Sequence, residues 1–423
     1  MLQALMAFGA LVLMSVATAA HAQTAINING SSAGRLFASK VPVDVCDIGT
    51  GVSGQVDSNW PQHYATANNN QHAWVCNRGG NPVIIRYFAT ASADGYNRLL
   101  QPTADPASQA AFMVVPPTGC APAVHQVGTG GREYDELLNC SNTTATANLP
   151  VHMGAADVQG GSFGQVGPLI PLTQQPVIDA STLNSQAIVV VPFTIAVGSN
   201  VVRINAAGTN GNGLVQGLTR LQVESILAKQ VTDWRQLGLG TTTSPPNGAL
   251  EATSPIVLCP RTAGSGTKAS IDQEVMINAS EATLSSATTV FNASTSNVQT
   301  CLTSNPRGIG YLDADSVAGP YYAVALDGYK ANDTSLTDPK SNVKCGRYAY
   351  WSAWRLNRRT TSEGALIDDV NQAFINAAQL ASNVNAIPNT GNFWVALSEM
   401  NVTKNLDKGP LSFTAGAHPS CLY

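Results

Sequence analysis

Short apolar runs broken by glycine, proline and small polar residues set the rhythm of this chain. Ile84-Ile85, the run from Ala187 to Val191, Ile195-Ala196-Val197 and Pro255-Ile256-Val257-Leu258 read as buried strands. Between them, apolar positions recur at helical spacing. Thr219 is an N-cap with Gln222 three residues on, and Val223, Ile226 and Leu227 then share one helix face. A second helix is expected from Ser362 through Ile367, Val370, Phe374 and Ala377. Such alternation predicts layered α/β structure. At 423 residues the chain exceeds one typical core and should divide into lobes. No internal repeat is visible. The glycine-rich stretch 208–217 and the stretch 241–247 read as loops. Tyr348, Tyr350, Trp351 and Trp354 are spaced for a strand burying one face, which outweighs a carbohydrate platform.

The chemistry concentrates after one of those strands. Cys259-Pro260-Arg261-Thr262-Ala263-Gly264-Ser265-Gly266-Thr267 carries an arginine, two glycines and hydroxyls, and Lys268-Ala269-Ser270-Ile271-Asp272 then turns helical. A helix N-terminus presents unpaired N–H groups and a favourable dipole to an anion. Gly264 and Gly266 allow close backbone approach, Ser265 and Thr267 add hydroxyl donors, and Arg261 offers a planar fork. Alone, a Gly/Ser loop of this kind is also a common surface turn.

Other segments join it in order. They are Ile28-Asn29-Gly30-Ser31-Ser32-Ala33, the stretch Arg86-Tyr87-Phe88-Ala89-Thr90-Ala91-Ser92, Met153-Gly154-Ala155-Ala156-Asp157, Leu218-Thr219-Arg220 with Thr232-Asp233-Trp234, and Asn305-Pro306-Arg307-Gly308-Ile309-Gly310-Tyr311. With these the chain resembles the phosphate-binding proteins of bacterial phosphate ABC transporters, including the related DING group. The likeness runs from about Ile26 to the C-terminal helices, and the collinearity of short motifs is its specific part.

This resemblance implies a two-lobed type 2 periplasmic-binding-protein fold of α/β class with hinge crossover strands. The first lobe would be discontinuous, 23–195 plus 346–423, and the second would be 196–345. Crossings are expected at 193–199 and within 330–348. Long insertions at 40–81 and 96–150 read as surface excursions stapled by cysteines. Inorganic phosphate would be held by Ser31, Ser32, Ala33, Gly34 and Ser92 from one side and Arg261, Ser265, Gly266 and Thr267 from the other, with Asp157 beside it. Phosphate at neutral pH carries a proton that an ionised Asp157 accepts, and sulfate does not. Two anionic oxygens left facing each other cost about 1–3 kcal/mol, roughly tenfold in affinity. Many members carry a second Asp two residues after the arginine, where this chain has Ala263.

Composition narrows the setting. Only 11% of residues are charged and the formal net charge is −4, so there is no basic stripe for nucleic acid and no long-range field to draw an anion in. Residues 1–22 contain Leu11-Val12-Leu13-Met14 and end Ala20-His21-Ala22, the pattern of a secretory signal peptide cleaved after Ala22. No Lys or Arg precedes the run, a departure that a start further upstream would explain. No later segment is long and apolar enough to span a membrane. The eight cysteines, Cys46, Cys76, Cys120, Cys140, Cys259, Cys301, Cys345 and Cys421, include no C-x-x-C pair, and with scattered histidines they offer no metal site. Disulfides in an exported chain are the expectation. Nearest-neighbour pairing is the simplest connectivity, though sequence alone leaves others open. Asn-x-Ser/Thr triplets, as at Asn278 and Asn292, read as chance in so polar a chain.

Gly160-Gly161-Ser162-Phe163-Gly164 fits a hydrolase nucleophile pattern but lies in a glycine-rich loop. His63, His72, His125 and His152 read as single surface or hydrogen-bonded histidines. The expectation is thus a monomeric, cofactor-free, non-catalytic phosphate binder in the periplasm or secreted, serving an ABC permease. A secreted phosphatase-like enzyme on the same scaffold, and a surface or matrix protein with a degenerate cleft, stand as alternatives.

Overall fold

The computed structural model describes residues 23–141, 146–164, 176–244, 246–277, 286–408, 410–414 and 421. The expected signal segment 1–22 and the Asn278 triplet lie outside them. Among the described residues, no helix is long and apolar enough to cross a membrane. The fold is mixed α/β and rests on one principal sheet, which has 14 strands among the described residues.

The axis of that sheet is the strand Leu183–Gly198, whose second half is entirely buried. The sequence pattern divides it into two runs, but they form one continuous strand. Its first part pairs antiparallel with Trp351–Arg359, as far as Pro192 opposite Trp351. From Phe193 onward it pairs with Gly308–Asp313, and from Ile195 with Tyr321–Leu326. Pro192, which has no N–H to give a ladder, thus stands where the strand exchanges partners. The aromatic cluster near 350 is core as expected, but the strand begins only at Trp351: Tyr348 and Tyr350 precede it, and all four rings are buried, not one face alone.

On one side of this axis, Thr24–Gly30 lies parallel to both Asn81–Ala89 and Met153–Ala156, with Gly30 opposite Ala89 and Ala155. Three strands therefore end together at the same edge. On the other side, Val257–Cys259 lies parallel to Gly308–Asp313 with Cys259 opposite Gly310, so the longer strand runs three residues past the shorter in the same direction. Parallel strands direct the loops after their C-terminal ends into a shared crevice.

Two expectations fail here. The segments 40–81 and 96–150 are not surface excursions: Gln62–Thr66, Gln71–Arg78, Val124–Val127 and Glu133–Cys140 are strands of the principal sheet. Their aromatic and small residues, Trp74, Tyr134, Ala65 and Ala73, are buried. His63 and His72 are buried with them. The His63 ring stacks on Trp74 at 4.8 Å and its Nδ1 lies 3.0 Å from Glu136 Oε1. The glycine-rich stretch near 210 is also no loop, since Asn210–Leu214 pairs with Val201–Ile204 as a hairpin. The helices sit close to expectation. Thr219 and Gln222 form a reciprocal capping box, and the later helix spans Ala365–Gln379, three residues short of Ser362. The disulfides join Cys46 to Cys76, Cys120 to Cys140, Cys259 to Cys301 and Cys345 to Cys421, each a sequence neighbour.

Close backbone approach fixes the helix Ser92–Leu99 on the strand Met153–Ala156. A Cβ added at Gly154 would meet the Gly95 backbone, its carbonyl carbon at 2.6 Å. Backbone cannot rotate away as a side chain can. Gly154→Ala is expected to lower stability by about 1–3 kcal/mol, measured by denaturant unfolding, whereas Gly161→Ala, whose added Cβ would meet no atom of the described residues within 4 Å, should be nearly neutral.

Candidate functional site

The crevice between the two sets of strand ends collects the predicted residues. Ser31 directly follows the first strand, and its backbone N–H donates to Ala155 O at 2.9 Å. Ser92 opens the helix Ser92–Leu99, and Asp157 follows Met153–Ala156. The Ser31 hydroxyl donates to Asp157 Oδ1, and the Asp157 backbone N–H donates to Ser92 Oγ at 3.1 Å. Ser352, which the sequence reading missed, donates its hydroxyl to the Asp157 carbonyl. Asp157 is thereby held on both its main chain and its side chain.

The opposite wall is the helix Gly266–Glu274, N-capped by Ser265, whose Oγ accepts from Lys268 N at 3.2 Å. Its first turn abuts the acid. A Cβ built on Gly266 would lie 2.7 Å from Asp157 Oδ2, and closer still to Ser92 Oγ. No residue but glycine fits there without moving the two walls apart. They also touch directly, since Ala93 N donates to Gly264 O at 3.0 Å. Ser32, Ala33, Ser265 and Thr267 are buried round the same crevice, and the Gly34 N–H is engaged by Ser31 Oγ at 3.2 Å.

Arg261 is 1% exposed. Its backbone N–H donates to Tyr311 Oη at 3.1 Å, its Nη1 to Thr295 Oγ1 at 3.4 Å and its Nη2 to Ala293 O at 3.2 Å. Its Nε is buried without a hydrogen-bond partner among the described residues. Burial pulls the guanidinium's pKa below its ordinary value, while the negative charges of Asp313 and then Asp157 oppose that pull. Asp157 is pushed up to about 6, mainly by burial and further by the charge of Asp313, against the lowering effect of the Ser31 hydrogen bond and of Arg261. Asp313 and Asp315, which the sequence reading also missed, follow the end of the strand Gly308–Asp313. Burial and the charge of Asp313 raise Asp315 as well. An acid just past a strand end that faces the crevice was a legible signal.

The other candidates fall away. Ser162 lies in the short 3₁₀ turn Gly160–Ser162 and donates its hydroxyl to Asp407 Oδ2 at 2.5 Å, so it is engaged by an acid and not by a histidine. Among the described residues no group of three or more His, Cys, Asp or Glu could hold a metal ion.

Residues 170–356 match the PBP superfamily domain. The fold is that of a periplasmic binding protein. One solved structure with this fold is a Clostridium perfringens chain assigned as a phosphate ABC transporter substrate-binding protein and carrying bound phosphate. It is 14% identical, with a TM-score of 0.50, over 88% of this chain and 100% of that one. Others are a phosphate-binding protein from Stenotrophomonas maltophilia (11% identity, 89% and 91% covered, TM-score 0.44) and PstS from Borrelia burgdorferi (12%, 88% and 99%, 0.37). No curated protein matches the chain by sequence.

The periplasmic-binding-protein crevice makes a pH prediction that needs no ligand. Because the Asp157 pKa is raised from 3.8 to about 6, its ionised form is the disfavoured one in the folded state. Its contribution to stability is full below about pH 4 and is lost as pH rises through about 6. Between those limits wild type should lose up to about 3 kcal/mol relative to Asp157→Asn. Urea unfolding of both proteins at intervals from pH 4 to 7.5 measures the difference; a gap that stays constant with pH would remove the buried, ionising Asp157 from the account.

Proposed function

We propose that this chain is an exported solute-binding protein that captures inorganic phosphate between two lobes, 23–195 with 346–423 and 196–345, and delivers it to an ABC permease. What supports the reading is that Ser31, Ser92 and Asp157 bind one another and abut the first turn of Gly266–Glu274, with the buried Arg261 near enough for its charge to act on Asp157. A helix N-terminus and a guanidinium with a partnerless Nε–H attract an anion; a carboxylate among them admits only one that brings a proton. Hydrogenphosphate is such an anion. Ser32, Ala33 and Gly34 on one wall and Ser265, Gly266 and Thr267 on the other complete the proposed ligand set. Donors on both walls favour the closed arrangement when ligand is bound, a hinge biased by differential contacts. The site performs no chemistry in this reading, and the protein works as a monomer in the periplasm or beyond it.

The test is calorimetric titration of unfolded, ligand-stripped and refolded protein with phosphate, arsenate and sulfate. Phosphate and arsenate are expected to bind at micromolar concentration or tighter at pH 8, with sulfate at least tenfold weaker. Sulfate should strengthen below about pH 6, where Asp157 takes up a proton and becomes a donor. Asp157→Asn should lose both the preference and its pH dependence. Absence of binding by all three anions would defeat the phosphate reading.

A further inference from the structure

Arg261 has no carboxylate of its own segment to hold it; the residue two positions on is Ala263. Its guanidinium is nonetheless oriented, by a chain of hydrogen bonds that crosses three elements. Arg261 Nη1 donates to Thr295 Oγ1 at 3.4 Å, and the Thr295 hydroxyl, with one proton to give, donates it to Asp313 Oδ1 at 2.8 Å. The second Asp313 oxygen accepts the Ser316 hydroxyl. With two hydroxyls donating into it, Asp313 acts as an acceptor on both oxygens, the state of an ionised carboxylate. Arg261, Thr295 and Asp313 are each 1% exposed or less. Thr295 is the first residue of the helix Thr295–Ser304, whose Cys301 is bonded to Cys259, two residues before Arg261. Asp313 ends the strand that pairs with the strand leading to Arg261. Arg261 and Thr295 therefore share a disulfide-closed loop, and strand pairing brings Asp313 to it.

We infer that Asp313 is the positioning residue for Arg261, acting through the Thr295 hydroxyl to aim the guanidinium into the crevice. This rests on the phosphate reading of that crevice. The direction of the Thr295 proton matters: given to Asp313, it leaves an oxygen lone pair for Nη1. A methyl in its place would leave a buried N–H unpaired and the fork held on one side only, by Ala293 O. Such a residue serves any tetrahedral anion that the arginine grips, and Asp313 touches the choice among them only through its charge near Asp157, which Thr295→Val leaves in place. That separates it from Asp157, which senses the ligand's hydrogen.

The experiment compares stripped wild type, Thr295→Val, Thr295→Ser and Asp313→Asn by calorimetry, with inorganic phosphate at pH 8 and sulfate at pH 5, alongside thermal unfolding. Thr295→Val should weaken phosphate about tenfold or more and weaken sulfate by the same factor; Asp313→Asn should weaken both, sulfate at pH 5 by more, because the lost charge leaves Asp157 more ionised there. Thr295→Ser, which keeps the hydroxyl, should bind within about twofold of wild type. If Asp313→Asn does not fold, the valine and serine variants decide alone. Wild-type affinity in folded Thr295→Val, an equal loss in Thr295→Ser, or a loss confined to one anion overturns the assignment. A wild type that binds neither anion defeats the site reading itself, and is distinguishable because no variant is needed to see it.

Discussion

Charged groups that leave water must find their solvation within the protein, and in this molecule that requirement falls on one crevice. Asp157, Arg261 and Asp313 are each no more than 2% exposed. An isolated buried ion is far too costly to persist, so every one must be paired or hydrogen-bonded. The strands that end there, the helix that starts there and the glycines that let them approach all serve that condition. Gly266 is the clearest case, since a methyl group on it would occupy the space where Asp157 and Ser92 meet the helix.

The central strand Leu183–Gly198 makes such a crevice possible. By pairing with Trp351–Arg359 before Pro192 and with Gly308–Asp313 after it, one strand belongs to both walls. The walls are thus joined through backbone at the sheet and through ligand-directed groups at the strand ends. Movement about the region near Pro192 would separate Ser31, Ser92 and Asp157 from Arg261 and the helix Gly266–Glu274 without disturbing either group internally. Within the first wall, Ser31, Ser92 and Asp157 bind one another; within the second, Arg261 is fixed by Tyr311, Thr295 and Ala293.

Local chemistry was legible in the sequence where a short segment carries its own instructions. The Thr219 capping box, the buried run at Ala187 to Val191, and the loop from Arg261 to Thr267 each declare themselves by residue type and spacing, and the structure builds them as strand, cap and helix start. The strands at 62–78 and 124–140 were not legible as sheet. They form two local hairpins, but what makes them part of the sheet is a pairing between segments about 70 residues apart, as in Gln62 with Asp135, and insertions judged by length alone look like loops. Asn210–Leu214 was hidden by glycine, which weakens a strand locally while its hairpin partner Val201–Ile204 supplies the order. Asp313 and Thr295 were missed for a related reason: neither stands in the Arg261 loop, and only the parallel pairing of Val257–Cys259 with Gly308–Asp313 and the adjoining helix bring them to it.

The same long-range assembly gives meaning to a composition that is low in charge and rich in Ser and Thr. The acids of the crevice are solvated mostly by hydroxyls: Ser31 donates to Asp157, Thr295 and Ser316 to Asp313, and Thr390 to Asp315 at 2.8 Å. A cation in each of those places would pair its acid tightly but would also fix the local charge and attract any anion. A hydroxyl has one proton, free lone pairs and a low barrier to rotation, so it can serve a carboxylate in one arrangement and a ligand oxygen in another. In the proposed reading, with so few cations in the chain, a dianion would be held against a net-negative protein chiefly by directed dipoles in a dry crevice, where each hydrogen bond is stronger than in water. Discrimination then follows from where protons sit, since acceptors and donors are matched one by one and a single misplaced hydrogen leaves two lone pairs opposed.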